Sequence, residues 1–324
     1  MTILAVRTDK LGDFITALPT FYVLKQQNPA NRIVACVAPL NRALAEACPF
    51  IDEVIVDEGE GVLAFASKLR KVGANASVTL FSTTRVALAQ FLARIPRRIA
   101  PATKLAQLFY TDRIVQRRSK VAMAEFEYNL QLAKVLFPGI DLAFPHPLLR
   151  FPQDEVEAVY RQFCAKYGVS KPVVAFHPGF GGSSEANWTL EEYIGLVRTL
   201  QHRRDIQVVM TFGPDEADLR KAATHMAKGL DVIFYTSREG LVAFAELLSS
   251  FRLFVSTSTG TYHLAAAVGT PTMTFFGDSL FASVKRWKGV SDEKIQHPFM
   301  LSMEPQKRQA QFEEVKRALK SLTA

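Results

Sequence analysis

No stretch of this sequence approaches the ~18 uninterrupted apolar residues that a membrane-spanning helix requires, although 48% of its 324 residues are hydrophobic. Cysteine is scarce. Cys36, Cys48 and Cys164 form an odd, widely spaced set without a Cys-x-x-Cys pair, so reduced buried thiols are expected rather than a disulfide framework or a thiolate zinc site. There is no His-x-x-x-His, no Asp-x-Asp after a strand and no P-loop ending in Gly-Lys-Ser/Thr. These absences argue against a protein-held divalent metal and against ATP-driven phosphoryl transfer. The opening residues Met1 to Arg7, with Asp9 close behind, lack the basic-then-apolar order of a secretory signal, so a cytoplasmic protein is expected. Charged residues make up 22%, a globular composition rather than a disordered one. The length suits two domains of ~150 residues each.

What is abundant is positive charge, in one place. The net charge is +8, and residues 1–150 carry nineteen lysines and arginines against twelve acids. Within residues 85–120 lie Arg85, Arg94, Arg97, Arg98, Lys104, Arg113, Arg117, Arg118 and Lys120, with Asp112 as the only acid. Such a run attracts an anionic partner, although solvated helix faces also carry charge runs. Leu105, Leu108, Phe109 and Tyr110 interrupt it, which favours a membrane surface or a lipid-linked partner. No recognisable nucleic-acid module accompanies the run, so nucleic acid is not an expected partner.

The hydrophobic pattern alternates short apolar runs with amphipathic ones. Strands are predicted at residues 2–6, 32–37, 53–56 and 77–81, and helices at 13–27, 42–47, 62–71, 85–93 and 123–137. Pro19 inside the first helix predicts a kink or a late start. Four prolines (138, 145, 147, 152) and Gly139 then mark a boundary, placed at 150/151. Alternation restarts with strands at 173–176, 207–212, 232–234, 253–255 and 272–275. Helices are predicted between them and at 306–322. The implied class is α/β, two Rossmann-like doubly wound domains in series, with a ligand expected in the cleft between them at the strands' carboxyl ends.

Three post-strand segments have the composition of ligand loops. In Arg7-Thr8-Asp9-Lys10-Leu11-Gly12-Asp13, a carboxylate at a helix start either accepts a proton from a hydroxyl or simply complements the helix. His177-Pro178-Gly179-Phe180-Gly181-Gly182-Ser183-Ser184 exposes backbone N–H groups that suit a phosphate. Ser184 occupies the place of the third glycine of a dinucleotide fingerprint, so a nicotinamide enzyme is disfavoured. Ser256 to Ala267 gathers hydroxyls at the start of a small-residue helix, a way to hold a diphosphate without metal. His263 lies one turn inside and either faces those phosphates or is a buried core histidine.

Together these segments resemble glycosyltransferase family nine, the bacterial lipopolysaccharide heptosyltransferases. The matching residues are Arg7 to Asp13 with Pro19; His177-Pro178-Gly179 with Trp188; Gly213-Pro214-x-Glu216; and Thr259-Gly260-x-x-His263 with Gly269-Thr270-Pro271 and Phe276-Gly277. The resemblance implies a GT-B fold with the nucleotide sugar, usually ADP-heptose, on the second domain. The anionic lipopolysaccharide core acceptor would meet the first, and the final helix would pack back on that domain. It makes Asp13 the candidate general base. Gly179, Ser183, Ser184, Glu216, Ser258, Thr259, Gly260, Thr261 and His263 become the candidate donor set. Arg7, Lys10, Arg97, Arg98, Arg117, Arg118 and Lys120 are the candidate acceptor-side cations. No cofactor and no metal are expected, and the protein would work at the inner face of the inner membrane. Two positions depart from the family pattern: Ala186, where a basic residue is common, and Ser258, where an acid is common. Lys10, Arg7 or another cation of the first domain is expected to supply the missing charge. A silent nucleotide-sugar or glycan-binding protein and a sugar-nucleotide epimerase are the alternatives on the same architecture.

Overall fold

The computed structural model describes residues 1–180 and 187–324. The chain divides into two compact units, Met1–Pro145 and His146–Ala324.

The first unit runs β1 (Thr2–Arg7), α1 (Leu11–Gln26), β2 (Arg32–Val37), α2 (Arg42–Glu46), β3 (Glu53–Val56), α3 (Val62–Val72), β4 (Ala76–Thr79), α4 (Thr84–Leu92), β5 (Arg97–Pro101), β6 (Asp112–Ile114) and α5 (Glu125–Leu136). Its strands are all parallel in the order β3-β2-β1-β4-β5-β6. β1 is central, with Leu4 registered between Val34 and Ser77. Parallel sheets are covered on both faces, which is why Ile3 to Val6 is an unbroken apolar run with no residue exposed.

Pro19 neither kinks α1 into two helices nor delays its start; the helix begins at Leu11. A proline forfeits one i→i−4 bond, and here burial of Phe14 to Phe21 on a helix packed against α5 outweighs it. Asn129 of α5 donates to the Thr16 carbonyl at 3.2 Å, fixing that packing.

The second unit runs α6 (Gln153–Tyr167), β7 (Val173–His177), α7 (Leu190–Thr199), β8 (Gln207–Phe212), α8 (Ala217–Met226), β9 (Ile233–Thr236), α9 (Leu241–Ser249), β10 (Leu253–Thr257), α10 (Gly260–Ala267), β11 (Thr272–Gly277), α11 (Val284–Trp287), β12 (Gln296–Leu301) and α12 (Pro305–Leu322). Its parallel sheet reads β9-β8-β7-β10-β11-β12, the same winding as the first unit. The core gathers Phe176, Trp188, Tyr193, Val255 and Phe275 under α7 and α12. α12 is joined to α7 by Arg308, which pairs with Glu192 at 2.9 Å and lies 4.5 Å over the Trp188 ring. Among the described residues, no helix is long and apolar enough to cross a membrane.

Three strands were not legible in the sequence. β5 opens with two arginines, and β6 is three residues long. β12 contains Pro298, tolerated because the strand forms the sheet edge.

Candidate functional site

In doubly wound sheets, ligands gather where the strand order reverses, outside the carboxyl ends of the strands. In the first unit that point lies between β1 and β4, and in the second between β7 and β10. The sequence motifs fall at both.

At the first point, β1 delivers Arg7 into the interior, where it is 2% exposed. Its guanidinium donates through Nε to Asp9 at 2.7 Å and through Nη2 to Asp13 at 2.6 Å. Nη1 donates to the Leu80 carbonyl at 3.2 Å and to Asn129 Oδ1 at 3.4 Å. Glu125 lies 3.9 Å away and also receives a bond from Arg118. Arg7, expected among the acceptor contacts, is therefore sealed beneath the surface and committed to positioning two aspartates. Burial pushes the Asp9 carboxyl up to about 6, against the pull of Arg7, and the neighbouring Asp13 charge adds to the rise. Asp13 sits in the first turn of α1, its side chain 22% exposed. One oxygen is held by Arg7, which presents the carboxylate in a fixed orientation at the strand ends.

The other acceptor-side candidates separate into two groups. Lys10, Arg117 and Lys120 are exposed. Arg97 pairs with Asp112 at 3.3 Å and donates to the Val135 and Leu136 carbonyls. Arg98 donates to the Phe109 and Ile95 carbonyls. Arg118 is bound to Gln116, Glu125 and Asn129. These three guanidiniums close loops of the fold, and much of the basic run is thus structural.

At the second point, β7 ends in His177, whose Nδ1 lies 3.1 Å from Thr211 Oγ1. Burial lowers its pKa even with Glu216 4.0 Å away, leaving a neutral ring. Glu216 accepts from the Gly213 N–H at 2.7 Å and folds directly over Gly179. A Cβ at position 179 would fall on Glu216 Oε1, the end of a flexible side chain, so a larger residue there has to displace that carboxylate. Ser183, Ser184 and Ala186 lie outside the described residues. Asn187 donates to the Pro178 carbonyl at 3.4 Å, and its Oδ1 accepts from Thr257 and Tyr193. It ties the β7 loop to the end of β10.

β10 then leads through Ser258, whose N–H donates to the Phe275 carbonyl at 2.9 Å, into α10. The first bond of that helix is His263 N–H to the Thr259 carbonyl. The N–H groups of Gly260, Thr261 and Tyr262 therefore precede any intrahelical partner. Thr259 and Thr261 hydroxyls lie 2.9 Å apart at this helix start. His263 is 3% exposed, and burial lowers its pKa to about 3, so it acts as a neutral donor or acceptor and not as a cation. Its Nδ1, like Ser256 Oγ, is buried without a hydrogen-bond partner among the described residues.

Sequence reading missed Asp9, Glu125 and Asn129, the residues that lock Arg7, and Asn187. Asp9 stood inside the Arg7–Asp13 segment, but nothing local tied Arg7 to Glu125 and Asn129, more than a hundred positions away.

The model of glycosyltransferase family 9 (heptosyltransferase) matches residues 62–317. A putative glycosyltransferase of Haemophilus influenzae is 34% identical over 299 residues, 90% of this chain and 86% of the relative. Lipopolysaccharide heptosyltransferase 3 of Escherichia coli K12 is 25% identical over 285 residues, covering 82% and 79%. Among solved structures, E. coli ADP-heptose lipopolysaccharide heptosyltransferase II superimposes with a TM-score of 0.80 at 19% identity, with both chains fully covered. That likeness identifies the architecture as GT-B.

Proposed function

Since the chain belongs to glycosyltransferase family 9 and is a glycosyltransferase, we propose that it moves a heptose or related sugar from a nucleoside-diphosphate donor, ADP-heptose, to an anionic lipopolysaccharide core. Transfer proceeds with inversion and without metal. The observation that carries this reading is the start of α10, where the N–H groups of Gly260, Thr261 and Tyr262 have no intrahelical partner, the Thr259 and Thr261 hydroxyls lie 2.9 Å apart, and His263 follows in the first turn. A helix start of this composition favours a diphosphate. Glu216, over Gly179, suits the hydroxyls of a ribose.

In the proposed reaction the acceptor hydroxyl oxygen bonds to the anomeric carbon as the bond from that carbon to the diphosphate oxygen breaks. Asp13 takes the hydroxyl proton, and the electron pair of the broken bond leaves with the nucleoside diphosphate. Donors at α10 act where that charge grows, which is where they lower a barrier. Lys10, exposed three residues ahead of Asp13, is the nearest candidate in sequence for an acceptor phosphate. Arg117 and Lys120 extend the basic surface. Arg7 enters the reaction only through Asp13. The acceptor's lipid anchor would hold the protein at the cytoplasmic face of the inner membrane.

The direct test is incubation with ADP-heptose and a phosphorylated core acceptor. The reading predicts a product one heptose heavier, with anomeric configuration opposite to the donor's. Transfer from UDP- or GDP-sugars only, or a retained configuration, would contradict it.

A further inference from the structure

We propose that the surface formed by α4 and the turn at Leu105–Phe109 docks this protein onto an anionic lipid bilayer. The turn is a 3₁₀ helix, in which residues three apart eclipse one another. Leu105 and Leu108 therefore share a side, and they are 68% and 67% exposed. Ala106 and Tyr110, by contrast, are buried against Ala87 and Ala100. The usual preference is inverted: a small alanine is kept inside while two leucines are shown to solvent. Phe91 of α4, 48% exposed, stands against Phe109 with ring centroids 5.8 Å apart and extends the apolar area.

Cations flank this area along the chain. Lys104 immediately precedes the turn, Arg94 follows α4, and Arg98 holds its guanidinium 5.5 Å over the Phe91 ring. Arg113 is exposed on β6, the edge strand of the sheet. The one acid of residues 85–120, Asp112, is already taken by Arg97. An apolar projection with exposed cations on its flanking segments fits the boundary between anionic headgroups and acyl chains, where insertion and charge attraction act together. Charge complementarity thus selects a lipid surface over a neutral apolar partner. The inference deepens the membrane-side placement of the proposed reading, yet it uses neither Asp13 nor α10, so vesicle binding can fail while sugar transfer stands.

The test is co-sedimentation of the full chain with phosphatidylcholine vesicles that contain or lack phosphatidylglycerol, together with sedimentation of the protein alone. The wild type is expected to bind only the anionic vesicles, less as salt rises. Leu105→Ser with Leu108→Ser should weaken partitioning about tenfold or more, from two lost apolar insertions. Arg94→Glu with Lys104→Glu should do likewise and flatten the salt dependence. Because all four side chains are exposed, melting temperatures should match the wild type. Wild-type indifference to anionic vesicles, or unchanged binding by both double variants, would overturn the proposal. So would a wild-type dimer that the leucine variant dissolves, since the surface would then belong to a second copy.

Discussion

Arg7 holds the carboxylates of the first motif from a buried position. Three carboxylates (Asp9, Asp13 and Glu125) lie within 4 Å of a guanidinium that is 2% exposed. Removing a buried cation from such a set leaves charges without compensation, at a cost of about 3–5 kcal/mol. Arg7→Met should lose stability on that scale in urea unfolding, and a loss under about 1 kcal/mol would show the cluster to be merely a surface pair. Asp9 makes a second prediction. Its folded-state pKa of about 6 lies above the unfolded value. Between roughly pH 4 and 6, then, the folded chain holds a proton that the unfolded chain has lost. Stability owed to Asp9 should fall as pH rises through that window. The difference in unfolding free energy between wild type and Asp9→Asn should decline from pH 4 to 6 and level off above. A difference that stays flat, or that grows with pH, would contradict the burial argument.

At the scale of elements, the sequence was readable wherever burial follows a period. β2, β3 and β8 fall on the predicted residues because short apolar runs mark the strands of a parallel sheet. β5 was hidden because Arg97 and Arg98 sit at its start, their charges turned to backbone carbonyls brought near only by folding. The motif loops were visible by composition, whereas their wiring was not. Glu216 above Gly179 joins the ends of β7 and β8 across a contact that no local pattern encodes. Gly179→Ala should push the Glu216 side chain off the Gly213 N–H while leaving the sheet intact. On the proposed reading, which sets Glu216 against the ribose, losing that one charged hydrogen bond would weaken nucleotide binding ~10–100-fold. Calorimetry with ADP is the measurement, and unchanged affinity would separate Glu216 from the ribose.

On the scale of the whole molecule, one chain builds the same strand winding twice and gives the two copies different chemistry. The first holds a carboxylate on a buried arginine, and its sequence carries most of the positive charge. The second holds an uncharged helix start lined with hydroxyls and a neutral histidine. On the proposed mechanism, proton removal and capture of the leaving group reside in different units, so a substitution in one should spare the other. Asp13→Asn keeps the size of the side chain and removes the base. The most direct measurement is therefore turnover and ADP affinity on the same Asp13→Asn protein. The account predicts turnover lower by ~10²–10⁴-fold, with the dissociation constant for ADP unchanged. Undiminished transfer, or a parallel loss of ADP binding, would contradict it.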